Sequence, residues 1–213
     1  MKKKYLCISV FLLVSFIIWT LFISFIDVKA IGPEGSSVGF ATLNGAFHTL
    51  TGTHMWLYTV TDWLGLVPIA FCLGFAIFGL AQWIKRKSFL KVDFSILALG
   101  GFYLLVMATY VLFEYVVINY RPVLIYGYLE ASYPSSTTML VMCVMPTSMM
   151  QLRDRIVSTV LNKFVTYIIL AFTVFMVVGR LISGVHWITD IIGGALVSSG
   201  LVMMYYSVAH AKN

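Results

Sequence analysis

A chain of 213 residues that is 61% hydrophobic and only 10% charged falls well below the roughly 25% charged content of a soluble globular domain. It is therefore read as a polytopic membrane protein, long enough for about six spans and with no room for a separate soluble domain. The formal net charge of +6 would suit nucleic acid, but the placement of the basic residues assigns it to membrane topology instead, and no nucleic-acid partner is expected.

The chain opens on Met1-Lys2-Lys3-Lys4 and an apolar run reaching Ile26. That run is long for a signal peptide and no small-x-small cleavage site follows it convincingly, so it is expected to be a retained first span. Segment 27–63 mixes Gly, Pro, Ser and Thr with His48, His54, Trp56 and Trp63. It is too polar to span and too apolar for a free linker, and is expected to lie along the interface with its tryptophans at headgroup level. Further spans are predicted at 64–84, 94–118, 135–150, 164–182 and 188–206, the fourth of the six being the shortest. Cys7, Cys72 and Cys143 sit alone in apolar runs, which indicates neither a disulfide frame nor a metal cluster. Met139, Met142, Met145, Met149 and Met150 follow helical spacing and read as packing.

Six spans put both ends on one side. Eleven of the fourteen Lys and Arg residues then share the side of the N terminus, including Lys2–Lys4, the Lys85-Arg86-Lys87 cluster, Arg153, Arg155 and Lys212. Only Lys29, Arg121 and Arg180 face the other side. The bias makes both termini cytoplasmic. Arg121 and Arg180 violate it, and phosphate binding would give them a reason to be outside.

The densest chemistry lies in Gly179-Arg180-Leu181-Ile182-Ser183-Gly184-Val185-His186-Trp187-Ile188-Thr189-Asp190. With helix starting near His186, Asp190 falls one turn further on the same face, close enough to hold the imidazole. A carboxylate on one ring nitrogen fixes the tautomer and frees the other as base or nucleophile. Arg180 adds a planar cationic fork suited to phosphate. On local spacing alone, a loop histidine beside a helix-terminal aspartate fits equally well.

The spacing of Arg180, His186 and Asp190 resembles the third motif of the type 2 phosphatidic acid phosphatase superfamily, Ser-Arg-x5-His-x3-Asp, with Gly179 in place of the serine. Two further stretches are similar to its other motifs, in family order. Arg121-Pro122 matches the end of Lys-x6-Arg-Pro, with Glu114 where the lysine belongs. Tyr133-Pro134-Ser135-Ser136-Thr137 resembles Pro-Ser-Gly-His, with Ser136 for the glycine and Thr137 for the histidine. The motif region spans 114–190 of one integral membrane domain covering 1–213.

The resemblance implies that His186 attacks phosphorus, Asp190 orients it, and Arg121 and Arg180 hold the phosphate oxygens without a metal or other cofactor. Pro134 and Ser135 open a helix whose amides, at Ser135 and Ser136, would add an anion site; alone, they would read as an ordinary helix start. Thr137 can donate a hydrogen bond but cannot replace the family's general acid, a contribution of about 10²–10⁴-fold. Glu114, an acidic residue within a span, is expected either to pair with Arg121 or Arg180, or to stay protonated and act as a donor. His48 and His54 read as interfacial residues or substitute acids, and His210 lies too far toward the cytoplasm.

The expected fold is an all-α six-helix transmembrane bundle with its site at the extracytoplasmic interface of the cell membrane. The expected function is a lipid phosphate or isoprenoid pyrophosphate phosphatase with a phosphohistidine intermediate. The alternative is a degenerate relative that binds a lipid headgroup or partner protein without turnover, and a phosphotransferase is a third possibility. Substrate identity and oligomeric state are not legible.

Overall fold

The computed structural model describes residues 2–209; His210 and Lys212 lie outside the described residues. Eight α-helices follow one another: α1 (Lys2–Phe25), α2 (Ala41–Thr51), α3 (Met55–Leu64), α4 (Leu66–Arg86), α5 (Phe94–Tyr115), α6 (Ser136–Arg153), α7 (Thr159–Ile182) and α8 (Ile188–Ala209). The protein is an all-α polytopic membrane protein. Among the described residues, five stretches are long and apolar enough to cross a membrane: Lys3–Phe25, Met55–Arg86, Phe94–Tyr115, Thr159–Ile182 and Ile188–Ala209.

Two expectations change. The second apolar stretch begins at Met55, not at residue 64, because α3 runs into α4 through Gly65, whose backbone stays helical (φ −58°, ψ −19°). The segment expected to lie flat thus contains α2 and the start of this long helix, with Trp56 and Trp63 exposed. The fourth expected span, 135–150, is helix α6 but is not among the five. Its Thr, Ser and Gln side chains explain why. Thr138, Thr147, Ser148 and Gln151 are buried within the protein, where α6 is packed by α4, α5, α7 and α8. A helix that meets protein on most sides has no need of a lipid-compatible surface.

Helices α6 and α8 form the centre. Along α8 lies α1, stitched to it by Ser9 Oγ donating to the Gly200 carbonyl (2.8 Å) and Trp19 Nε1 donating to the Thr189 carbonyl (3.2 Å). Phe16, Leu99, Phe102, Met139, Val197 and Leu201 are part of the main apolar core. Val141 and Met145 pack with Ile169 and Met176 in a second cluster between α6 and α7; the methionines of α6 are packing residues, as their spacing predicted.

At the end of the bundle away from His186, Asp93 accepts from Gln82 Nε2 (2.7 Å) and pairs with Arg86 (2.8 Å), while Gln151 contacts Tyr205 and Arg155. This polar clasp ties the ends of α4, α5, α6 and α8 together.

Candidate active site

Two irregular segments carry His186, Arg121 and Ser132. Helix α7 ends at Ile182, and the chain reverses at Gly184, which has φ +68°. A Cβ there would lie 1.9 Å from the Gly52 carbonyl oxygen, so the turn requires glycine. The turn delivers His186 just before α8, which starts at Ile188 rather than at His186. Helix α5 ends at Tyr115, and segment 116–135 folds back on itself through an antiparallel bridge between Tyr120 and Ala131. The fold-back is held by Arg121 N donating to the Glu130 carbonyl (3.0 Å) and Ser132 N donating to the Asn119 carbonyl (2.9 Å). It brings Arg121 and Ser132 together beside His186.

His186 is buried, and its two ring nitrogens face different partners. Nε2 lies 3.3 Å from Arg121 Nη1, and Nδ1 lies 3.0 Å from Ser132 Oγ. Ser132 Oγ in turn donates to Asp190 Oδ2 at 2.5 Å. Asp190 therefore does not hold the ring directly as the spacing predicted: its Oδ2 is 3.9 Å from Nδ1, beyond hydrogen-bond range. The same Oδ2 accepts the Trp187 amide (2.9 Å), and Oδ1 faces Asn119 Nδ2 (3.4 Å). With Asp190 ionised, its carboxylate only accepts, so the Ser132 proton is directed at Asp190 and its lone pair at Nδ1–H. The network assigns the proton to Nδ1 and leaves the Nε2 lone pair toward Arg121. Burial, reinforced by the charges of Arg121 and Arg180, holds the imidazole pKa well below its ordinary 6.5, so the ring is neutral and nucleophilic at physiological pH.

Both arginines are buried, and each has its own carboxylate. Arg180 Nη2 lies 2.9 Å from Asp62 Oδ1 and donates to Thr137 Oγ1 at 2.5 Å. Arg121 Nε lies 3.1 Å from Glu130 Oε2, although without hydrogen-bond alignment. The Tyr58 ring sits under both guanidiniums, 4.7 Å from Arg180 and 6.0 Å from Arg121, a cation–π seat for two like charges. Gly179 has a packing reason to depart from the motif serine: a Cβ there would meet Thr61 Cγ2 at 2.8 Å. Helix α3, which carries Tyr58 and Asp62, thus packs closely onto α7 beside Arg180.

The remaining predicted residues divide. Ser135 caps α6, its hydroxyl accepting from Thr138 N, and its own amide donates to the Asp190 carbonyl (3.1 Å); it is spent on structure. Ser136 and Thr137 are left as the half-buried first turn of α6. Glu114 pairs with neither arginine. The expectation assumed helix through residue 118, which would have put Glu114 and Arg121 on one face; with α5 ending at Tyr115, that register is lost. Glu114 is exposed and lines a small pocket with Tyr110, Ser132 and Ser136. His48 Nε2 lies 3.1 Å from the Gly184 carbonyl and His54 Nε2 2.9 Å from the Thr51 carbonyl, so both are engaged with backbone.

Ser132, Tyr58, Asp62 and Glu130 were not singled out from the sequence. Only Ser132 carried a usable signal, as a small polar residue two positions before Pro134. An open groove of about 970 Å³ lies between α4, α5 and α6, lined by apolar residues such as Leu73, Ile96, Leu104 and Leu140, and it reaches Ser136 and Thr137.

Comparison with curated proteins found no match. Among solved structures, a transmembrane PAP2 type phosphatidylglycerolphosphate phosphatase from Bacillus subtilis shares the fold: it is 21% identical with a TM-score of 0.61, over 93% of this chain and 94% of that one. Residues 95–213 match the profile of the PAP2 superfamily. That match takes in α6, α7, α8 and every residue of the three motif stretches, so the chain belongs to the PAP2 superfamily.

Proposed function

We propose that this protein is a membrane lipid phosphate phosphatase in which His186 Nε2 takes the phosphoryl group and passes it to water. The observation that carries the proposal is the polarity of the His186 ring: Nδ1 is tied through Ser132 to Asp190, and the Nε2 lone pair faces Arg121. As that lone pair forms the N–P bond, the P–O bond to the leaving group breaks, its electron pair stays on oxygen, and that oxygen takes a proton from solvent, balanced by the one released when water hydrolyses the intermediate. Water then attacks phosphorus, the N–P pair returns to Nε2, and inorganic phosphate and a proton are released. Arg121 and Arg180 stabilise the equatorial oxygens. Each keeps a buried Nε–H without a hydrogen-bond acceptor among the described residues, donors that an anion can use.

The apolar groove ending at Ser136 and Thr137 supports a lipid as the bearer of the phosphate, with its hydrocarbon between α4, α5 and α6 and its headgroup toward Arg180. The kinship with a structure described as a phosphatidylglycerolphosphate phosphatase puts glycerophospholipid phosphates first in a substrate panel, with isoprenoid diphosphates second. Purified protein in detergent should release phosphate from at least one of these in the presence of a chelator. If nothing is released from the whole panel, the protein is a headgroup-binding relative.

The same reading sets α6 as a sixth crossing, the site on the outer face and both termini in the cytoplasm. Single cysteines placed in segments 85–91 and 126–129 test it with an impermeant thiol reagent on intact cells, in a background lacking Cys7, Cys72 and Cys143. Labelling is expected only at 126–129; labelling only at 85–91 would invert the orientation.

A further inference from the structure

We propose that Ser132 is a positioning residue of this site, transmitting the Asp190 carboxylate to His186 so that the two act through a hydroxyl held between them. The inference rests on the phosphohistidine reading above and adds a third member to it.

Geometry leaves little freedom for a direct contact. Asp190 Oδ2 stands 3.9 Å from His186 Nδ1 but 2.5 Å from Ser132 Oγ, which is 3.0 Å from Nδ1. All three residues are buried. Asp190 is also held by the Trp187 amide and Asn119, so its carboxylate is fixed at the start of α8 and is not free to swing toward the ring. Ser132 is fixed from both sides. Its amide is bonded to the Asn119 carbonyl. The next residue, Tyr133, reaches Thr20 through its hydroxyl (2.7 Å) and packs against the rings of Phe16 and Phe113.

The chemistry follows from one hydroxyl having one proton. With that proton given to Asp190, the oxygen can only accept from Nδ1–H, and the ring is confined to the tautomer with an Nε2 lone pair. When Nε2 bonds to phosphorus the ring becomes cationic and Nδ1 keeps its proton. The hydroxyl, polarised by the carboxylate behind it, then stabilises the imidazolium.

A purely structural Ser132 would affect stability and not the chemical step, so the test is kinetic. Phosphoenzyme formation from ³²P-labelled dioleoyl phosphatidic acid is followed in a single turnover by rapid quench, with substrate saturation and thermal midpoint measured alongside. Ser132→Ala should slow the step about 10- to 100-fold with KM little changed, and Ser132→Thr, which keeps the hydroxyl, should recover most of the rate. Ser132→Cys keeps the volume but only a weak donor, and should fall with alanine even if the alanine variant folds poorly. Combining Ser132→Ala with Asp190→Asn should cost little more than Asp190→Asn alone, because the link is already cut. A Ser132→Ala enzyme that forms phosphoenzyme at the wild-type rate, or losses that multiply in the double variant, overturns the relay while leaving His186 as nucleophile. A wild-type enzyme that releases phosphate from a lipid of the panel yet never forms phosphoenzyme removes the phosphohistidine reading and the relay together, and no release from any of the panel removes the phosphatase reading itself.

Discussion

His186→Ala should lower phosphate release by about 10⁴-fold or more, because the substitution removes the atom that bonds to phosphorus. No other group is placed to replace it: His48 and His54 are bound to the carbonyls of Gly184 and Thr51. Arg121 and Arg180, the proposed phosphate clamp, stay intact in this variant, so substrate affinity should change little and the loss should appear in kcat. Asp190→Asn should lower kcat by about 10²–10⁴-fold. Because one oxygen, Oδ2, accepts from both Ser132 and the Trp187 amide, an amide there either turns its NH₂ toward them, losing both bonds and freeing the Ser132 hydroxyl to turn on Nδ1, or sets its NH₂ against the Asn119 side-chain amide donor. Measured kcat and KM for the two variants on the best substrate of the panel separate these expectations. A large rise in KM with unchanged kcat at position 186 would mean that the histidine binds and does not react.

Thr137→His should have the next largest effect, and in the opposite direction. Thr137 occupies the position of the family's proton donor, and its hydroxyl is held by Arg180 Nη2 at 2.5 Å. A threonine can hydrogen-bond a departing alkoxide but cannot give it a proton near neutral pH. An imidazole there should raise kcat on an alkyl phosphomonoester by about 10²–10⁴-fold. The gain should be much smaller on a diphosphate, whose leaving phosphate is already a weak base. Glu114→Lys should act on KM alone and modestly. Glu114 is exposed, and charges at exposed positions contribute about 0.2–1 kcal/mol, hence about a few-fold in affinity. Equal gains from Thr137→His on both leaving groups would show that proton donation is not what the native site lacks.

Much of this site was legible because its parts carry their own local signals. The apolar lengths of α1, α5, α7 and α8 need only composition, and each is long and apolar enough to span. Arg121 and Arg180 stood out as charges on the wrong side of a topology bias, and the fold brings Arg121 to 3.3 Å from His186. What stayed hidden depends on where one segment ends and another passes. Glu114 was assigned a partner by extending α5 through a turn that stops it at Tyr115. Asp62 and Tyr58 reach Arg180 only because Gly179 admits α3 against α7, and nothing in the sequence of α3 announces that contact. Glu130 and Ser132 become site residues through the fold-back of 116–135, whose backbone pairing has no periodic pattern. The two guanidiniums therefore meet two carboxylates, Asp62 and Glu130, neither of which the sequence identified.

The central claim is that His186 carries the phosphoryl group. The most direct measurement is peptide mapping of the wild-type protein quenched in alkali during turnover of a ³²P-labelled lipid phosphate. An acid-labile, alkali-stable phosphate on the peptide containing His186, absent from His186→Ala, is the predicted result. Turnover in which the label is found on another residue, or in which water attacks with no labelled protein even when hydrolysis of the intermediate is slowed, would contradict it.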